Sequence, residues 1–480
     1  MAAGMSNIKH VVVLMFENRS LDNLLGWIYQ PPAAPANFVP ASNRSPFNGL
    51  SPGKYCNKAG SMTVCASQPA SSYRVPTPDP GEKFEQMTTQ IFGSETGGTA
   101  NMSGFLQDYA SVRGVTDPAQ IMQSYSPQQV HVLTSLALNF AVSDAWFASC
   151  PCQTWPNRCF VHTGSSDGYI DNSYIPQDIT TIFNVLEENH VSWGVFSEKG
   201  RIISLTYFQF MPKLVIYPTH FNSSAKFKSM CAAKTVAGRL PAYSFVEPKL
   251  YDDSFRSSDY HPPSNVSAGE QYLAEIYNDI ASSPYRDEIL FVIVFDEHGG
   301  CYDHVPPPTG ATPPQPYPTS RDGRFDFKRF GVRVPAIVVS SWVEPGTVFR
   351  APSSGAPYDH TSILATLRDW KKLSHFLPSP RIANAPTLDQ ILTRDQPNSK
   401  WPAIAATSAG VDTRLPPDAP LTDLQVGLMI GAESAHQGKY VGQRRAKEIW
   451  RTVKTHAEAK AFLARLRPLK SRAARAGRRS

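Results

Sequence analysis

Two pairs of acids and amides stand where buried strands should end. Phe291-Val292-Ile293-Val294-Phe295 runs straight into Asp296-Glu297-His298-Gly299-Gly300, and Ile8 to Phe16 (IKHVVVLMF) runs into Glu17-Asn18-Arg19-Ser20. Unbroken runs of β-branched and aromatic residues read as strands buried on both faces. In open parallel sheets, ligands bind outside the carboxyl ends of the strands. Three carboxylates and one amide oxygen delivered there are hard ligands, suited to a divalent cation of the Ca²⁺ or Mg²⁺ kind. The two glycines let backbone approach such a centre closely. Taken singly, each pair could equally be a solvated turn or a helix cap. Two of them at one sheet edge make a candidate cation site.

A third stretch supplies a hydroxyl. In Ala148-Ser149-Cys150-Pro151-Cys152-Gln153-Thr154-Trp155-Pro156-Asn157-Arg158, Thr154 stands two residues ahead of a proline. Proline suits an early helical position, so the pattern predicts a helix N-terminus there. Such an end presents backbone N–H groups and a positive pole, a natural seat for phosphate. A cation beside Thr154 would lower its hydroxyl pKa and ready it for attack.

Elements able to position these groups recur along the chain. Further strands are expected at Val191 to Phe196, Tyr243 to Val246 and Val334 to Ser340, with helices at Glu85 to Phe92, Pro127 to Phe140, Thr181 to Glu188, Gly269 to Ser282 and Thr361 to Leu373. The alternation predicts an α/β fold, a large and mostly parallel central sheet flanked by helices. Residues 30 to 80, rich in Pro, Ser, Ala and Asn, read as a long loop insertion. Three regions follow: a catalytic domain over 1–375, a Pro-rich linker or wrapping segment over 376–425, and a basic helical extension over 426–480.

Composition narrows the field. The 480 residues are 41% hydrophobic and 18% charged, with 42 prolines, which indicates a globular chain with long stiffened loops. The net charge of +6 is uneven: Lys439 to Ser480 holds 14 Lys or Arg against 2 acids, which leaves 32 basic against 38 acidic residues before it. The acidic body argues against a nucleic-acid partner, although arginine-rich tails do bind phosphate backbones. Ile449, Val453, Phe462, Leu463 and Leu466 fall at roughly helical spacing in the basic region. A helix of that kind either docks on the body or lies on an anionic membrane surface. No apolar run reaches the length of a membrane span, and Met1 to Lys9 has none of the features of a signal peptide. Seven cysteines are no disulfide framework; Cys56 and Cys65 flank a loop that a bridge could close, and Cys150, Cys152 and Cys159 read as buried thiols or a loop disulfide rather than a zinc site.

Together these stretches resemble the bacterial and plant phosphoesterase family of phospholipases C and acid phosphatases. The resemblance runs through IKHVVVLMFENRSLD (8–22), NMSGF (101–105), FAVSDAWFASCPCQTWPNR (140–158), His261-Pro262-Pro263, FVIVFDEHGGCYDHVPPP (291–308), GVRVPAIVVSSWVEPG (331–346) and Asp359-His360-Thr361-Ser362, all in family order. It implies a fold like that of the alkaline phosphatase superfamily, with a metal at the strand ends. It further implies that Glu17, Asn18, Asp296 and Glu297 hold the metal, that Thr154 is the nucleophile and that His261 faces the phosphate. His304, His360 and His220 are weaker phosphate-side candidates. The first two also read as loop-fixing imidazoles beside Asp303 and Asp359. The implied substrate is a phospholipid of the phosphatidylcholine kind or another phosphate ester, and family members are often exported. One departure stands out: relatives read Asp-Pro-Gly-His where this chain has Asp79-Pro80-Gly81-Glu82-Lys83, so Glu82 replaces an expected imidazole unless Lys83 takes its place. Cys301, where an aromatic is usual, is a milder one.

Overall fold

A computed structural model describes residues 3–198, 204–251, 257–405 and 414–466. Its strands are β1 (His10–Phe16), β2 (Asn37–Val39), β3 (Cys56–Ala59), β4 (Met62–Cys65), β5 (Ala141–Ser143), β6 (Trp193–Ser197), β7 (Phe221–Ser223), β8 (Tyr243–Glu247), β9 (Ile289–Phe295), β10 (Ala336–Val339) and β11 (Thr347–Phe349). Nine of them form one sheet in the order β2-β11-β5-β10-β9-β1-β8-β6-β7, while β3 and β4 make a separate hairpin closed by a Cys56–Cys65 disulfide. The other five cysteines are free and buried.

The two apolar runs are the central strands. Every residue of β1 and β9 is buried, as expected for strands covered by helices on both faces. They pair in parallel and in register, Phe16 opposite Phe295, so the residues that follow them leave the sheet side by side. β10 alone is antiparallel to its neighbours, β9 and β5. The reversal makes β5 run the same way as β9, so the chain leaving β5 emerges on the edge that carries Glu17. Thr154 follows 11 residues after Ser143, at the start of the helix Thr154–Thr163.

The sheet core is one cluster, and a second cluster sits beside it. The second joins Trp155, Tyr174, Leu205 and Phe208 of the main body to three C-terminal helices, Asp423–Gln437, Gln443–Thr452 and His456–Arg465. Between body and extension, residues near 400 lie along the sheet's flank: Trp401 stacks on Tyr277, and the Pro402 and Ile404 carbonyls accept from Tyr277 and Asn278. Ile449, Val453, Phe462 and Leu463 are all buried against the body, so the amphipathic pattern is that of docked helices and these side chains are not free to enter a bilayer. Residues 467–480, where much of the positive charge lies, fall outside the described residues. No helix among the described residues is long and apolar enough to cross a membrane.

His456 tests how firmly the extension is held. It is buried, stacks on Tyr251 at 5.7 Å, and burial pulls its pKa down to about 4. An imidazole held neutral in the folded state contributes stability above pH 6.5, its ordinary value, and that contribution is lost as pH falls toward 4. Protection from hydrogen exchange, corrected for the intrinsic rate at each pH, should therefore fall in the 423–465 helices between pH 7 and pH 4.5 before it does in β1 or β9. His456→Gln should remove most of that pH dependence; an unchanged profile in the variant would assign the loosening to other groups.

Candidate active site

The in-register β1–β9 pair sets Glu17 next to Asp296, and hydrogen bonds lock the two turns together. The Asn18 backbone N–H donates to Asp296 Oδ1 at 2.9 Å, and the Glu297 N–H donates to the same oxygen at 2.7 Å. Asn18 holds a left-handed backbone, φ 51°, a conformation that asparagine tolerates better than most side chains and that recurs at functional sites. The turn lets its amide serve three partners: Nδ2 donates to Glu82 Oε1 at 2.6 Å and to Glu297 Oε1 at 2.7 Å, and Oδ1 accepts from Thr154 Oγ1 at 3.2 Å. Thr154 Oγ1 also lies 3.3 Å from Glu17 Oε2. All five sequence-derived candidates, Glu17, Asn18, Thr154, Asp296 and Glu297, are thus linked by one run of contacts through Asn18 and are fully buried.

The glycines after Glu297 are required by this closeness. Gly299 has φ 60°, and a Cβ there would lie 2.2 Å from the Asn18 carbonyl oxygen; at Gly300 it would lie 2.6 Å from that of Gly81. The 297–300 turn is therefore pressed between the two segments that carry Asn18 and Glu82. Gly299 N–H also donates to Glu297 Oε2 at 2.8 Å, fixing that carboxylate.

Arg158 is the functional neighbour that residue-type reasoning passed over. It lies one helical turn after Thr154, on the same face, and is wholly buried. Its Nη2 bonds Glu17 Oε1 and the Met15 carbonyl, and its Nε stands 3.6 Å from Asp296 Oδ2. Burial alone would pull the guanidinium pKa down, but Glu17 and Asp296 push it up, so it stays charged. The available signal was its spacing alone, a cation four residues after Thr154 on one predicted helix.

Glu82 enters the same group. It is buried, bonded to Asn18, and stands 3.3 Å from His261 Nε2; Lys83 points outward and pairs with Asp423 at 3.8 Å. So Glu82, and not Lys83, occupies the place of the missing imidazole. His261 Nδ1 lies 2.7 Å from the Pro262 carbonyl and 3.6 Å from Asp79 Oδ1. The Asp79–Glu82–His261 group could itself hold a cation.

The remaining histidines are placed differently from the phosphate-side role considered for them. His220 stacks on Trp193 at 4.0 Å and bonds its carbonyl at 2.9 Å, at the start of β6 and hence at the opposite end of the sheet from Glu17. The segment around it, Tyr217 to Ser224, runs along the edge of the sheet. Both ring nitrogens of His304 are taken, by Asp22 Oδ2 at 2.6 Å and Asn48 Oδ1 at 2.9 Å, within a buried Asp22–Arg333–Asp303 network. His304 fixes a loop, though with Asp22 and not with Asp303. His360 sits behind the acids, its Nε2 2.6 Å from the Asp296 backbone carbonyl, and steadies the strand end.

The electrostatics call for a cation. Glu17, Glu82, Asp296 and Glu297 are buried together, and among the described residues the guanidinium that pairs with this group is Arg158. Burial, reinforced by Asp296, pushes Glu17 and Glu297 well above the usual carboxylate range; burial and Glu297 do the same to Glu82. Asp296 Oδ2 is buried with no hydrogen-bond partner among the described residues. Uncompensated buried carboxylates are costly unless paired or bound to metal. The oxygen-only donor set and the orphaned oxygen fit a hard divalent ion held by Glu17, Asn18, Asp296 and Glu297. Removing divalent ions with a chelator should accordingly lower the Tm, and Ca²⁺ or Mg²⁺ should restore it, with Glu297→Gln blunting the response. A Tm indifferent to both ions in wild type would remove the cation from this site.

The chain is similar to known proteins over most of its length. The profile of the Phosphoesterase family matches residues 8–374. Non-specific phospholipase C4 of Arabidopsis thaliana is 35% identical over 474 residues, covering 90% of this chain and 80% of that protein. Phospholipase C A of Mycobacterium tuberculosis is 25% identical over 406 residues, covering 76% and 73%. Among solved structures, a Vibrio parahaemolyticus protein described as in the alkaline phosphatase superfamily matches with a TM-score of 0.33 at 13% identity, over 54% of this chain and 63% of that one, too loose a match to bear on mechanism. With its strand-end acids, its helix-borne threonine and a family match over most of its length, the chain belongs to the Phosphoesterase family, hydrolases acting on phosphoric ester bonds.

Proposed function

We propose that this chain is a phospholipase C-type phosphodiester hydrolase that splits phosphatidylcholine-like lipids into diacylglycerol and a phosphorylated head group. The observation that carries the reading is the convergence of Thr154 Oγ1 on Glu17 Oε2 and Asn18 Oδ1, at 3.3 and 3.2 Å, at the start of a helix. A hydroxyl held between an acid and an amide at a positive helix pole is placed to attack phosphorus. The names of the phospholipase C relatives supply the substrate class.

A divalent ion held by Glu17, Asn18, Asp296 and Glu297 would supply positive charge for the phosphate oxygens and favour the ionised hydroxyl of Thr154. The chain's own residues do the rest. Glu17, bonded to Arg158, orients Thr154, whose Oγ1 forms a bond to phosphorus as the diacylglycerol oxygen leaves in line. Burial raises Glu82 and lowers His261 to about 4, so at neutral pH the proton of the pair rests on Glu82. The departing oxygen takes its proton from His261 Nε2, which first receives it from Glu82 Oε1, 3.3 Å away. Water then hydrolyses the phosphothreonine, releasing the phosphorylated head group and restoring the Thr154 hydroxyl. The complete residue set speaks against a catalytically silent frame.

Thr154→Ala should lower kcat/KM on phosphatidylcholine by about a thousand-fold or more, with the Tm little changed. Unaltered turnover in that variant would remove Thr154 as nucleophile. Activity on p-nitrophenyl phosphate with none on phosphatidylcholine would replace the lipase reading with that of an acid phosphatase.

A further inference from the structure

The C-terminal extension reaches the mouth of the site. Its first helix packs so closely on the nucleophile's helix that a Cβ at Gly427 would lie 3.0 Å from Trp155 Nε1, and Asp423 at its start pairs with Lys83, the neighbour of Glu82. Between them lies a cavity of about 320 Å³ walled in part by Lys83, Gln153, Asn172, Asp423 and Trp450. Gln153 directly precedes Thr154, so this cavity, a vestibule, adjoins the segment that carries the hydroxyl. Asn172 is 1% exposed, and its Oδ1 is held by the Trp155 N–H at 2.9 Å. Its Nδ2, buried, has no partner among the described residues. A buried amide donor left unpaired beside a cavity is costly until an acceptor arrives.

Ser173 and Trp450 are walls of a second cleft as well, of about 460 Å³, completed mainly by Tyr174, Ile175, Ile430 and Tyr440. The two spaces thus share a wall, and the second, which Gln443 and Lys447 also line, is mainly aliphatic and aromatic. Both volumes are of ligand size. Of the three acids that wall the vestibule, Asp423 pairs with Lys83 and Glu85 with Arg324, while Asp171 accepts from the Ser173 N–H. The aliphatic and aromatic walls of the second cleft favour hydrocarbon.

We infer that the cleft between the 173–175 segment and the C-terminal helices is the acyl-chain subsite of the lipid substrate. The glycerol backbone lies in the vestibule, where Asn172 Nδ2 donates to an ester oxygen. The assignment rests on the phospholipid reading given above. It makes the extension part of substrate selection, with Trp450 as the shared wall. Trp450 is half-buried on a helix anchored by Ile449, so shortening it opens the subsite while the helix keeps its anchor.

The test compares dihexanoyl phosphatidylcholine, kept monomeric, with p-nitrophenyl phosphocholine, which has no acyl chains, using the full-length protein. Ile175→Asp and Ile175→Arg, both confined to the second cleft, should each raise KM for the lipid about ten-fold and leave kcat/KM for the small ester within two-fold. Equal losses on both substrates, or unchanged lipid kinetics in both variants, would overturn the subsite. So would a loss seen on phosphatidylcholine vesicles but not on the monomeric lipid, which would make this surface a membrane contact. Wild-type protein that cleaves the small ester but no lipid would overturn the phospholipid reading itself and the subsite with it.

Discussion

The site depends on the parallel, in-register pairing of β1 with β9. Two buried strands that end at the same height bring two acids from opposite ends of the sequence within reach of one guanidinium, Arg158. Burial pushes the Glu17 carboxyl well above the usual carboxylate range, with Arg158 opposing that shift. The fold therefore supplies more than a platform. It forces like charges together and leaves them partly uncompensated, which is the condition under which a hard cation binds.

Around that pair, other elements contribute one function each. β10, reversed, returns the chain so that the segment after β5 reaches the site. The helix Thr154–Thr163 carries the hydroxyl at its start and the guanidinium a turn later, so the two move as one body. His360 and His298 stand behind the acids. His360 touches the Asp296 carbonyl, and His298 touches Gln90 at 2.8 Å and is held neutral by burial, with its pKa down to about 3.

Much of this was legible in the residues because the informative signals were local. An apolar run that stops on an acid declares both a buried strand and its chemical end, so Glu17, Asn18, Asp296 and Glu297 could be picked out before any coordinates. Thr154 was legible from the helix start that Pro156 marks. What stayed hidden depends on which distant loops fold over the strand ends. Nothing between residues 18 and 82 says that Glu82 will share the Asn18 amide, and nothing near Arg158 says that its partners are Glu17 and Asp296. His220 was misplaced because order along the chain does not reveal which end of a strand a loop returns to. The direction of β10 was likewise unreadable, since an apolar tetrad is the same forwards and backwards.

The left-handed turn at Asn18 narrows its own chemistry further than any neighbour does. Glycine would accept the backbone angle but bring neither the oxygen that faces Thr154 nor the nitrogen that ties Glu82 to Glu297. Aspartate would accept it too, yet would set another negative group against two acids that already repel. Any bulkier or branched residue would be strained by the angle itself. Position 18 thus has an alphabet of one letter, and the whole centre inherits that intolerance.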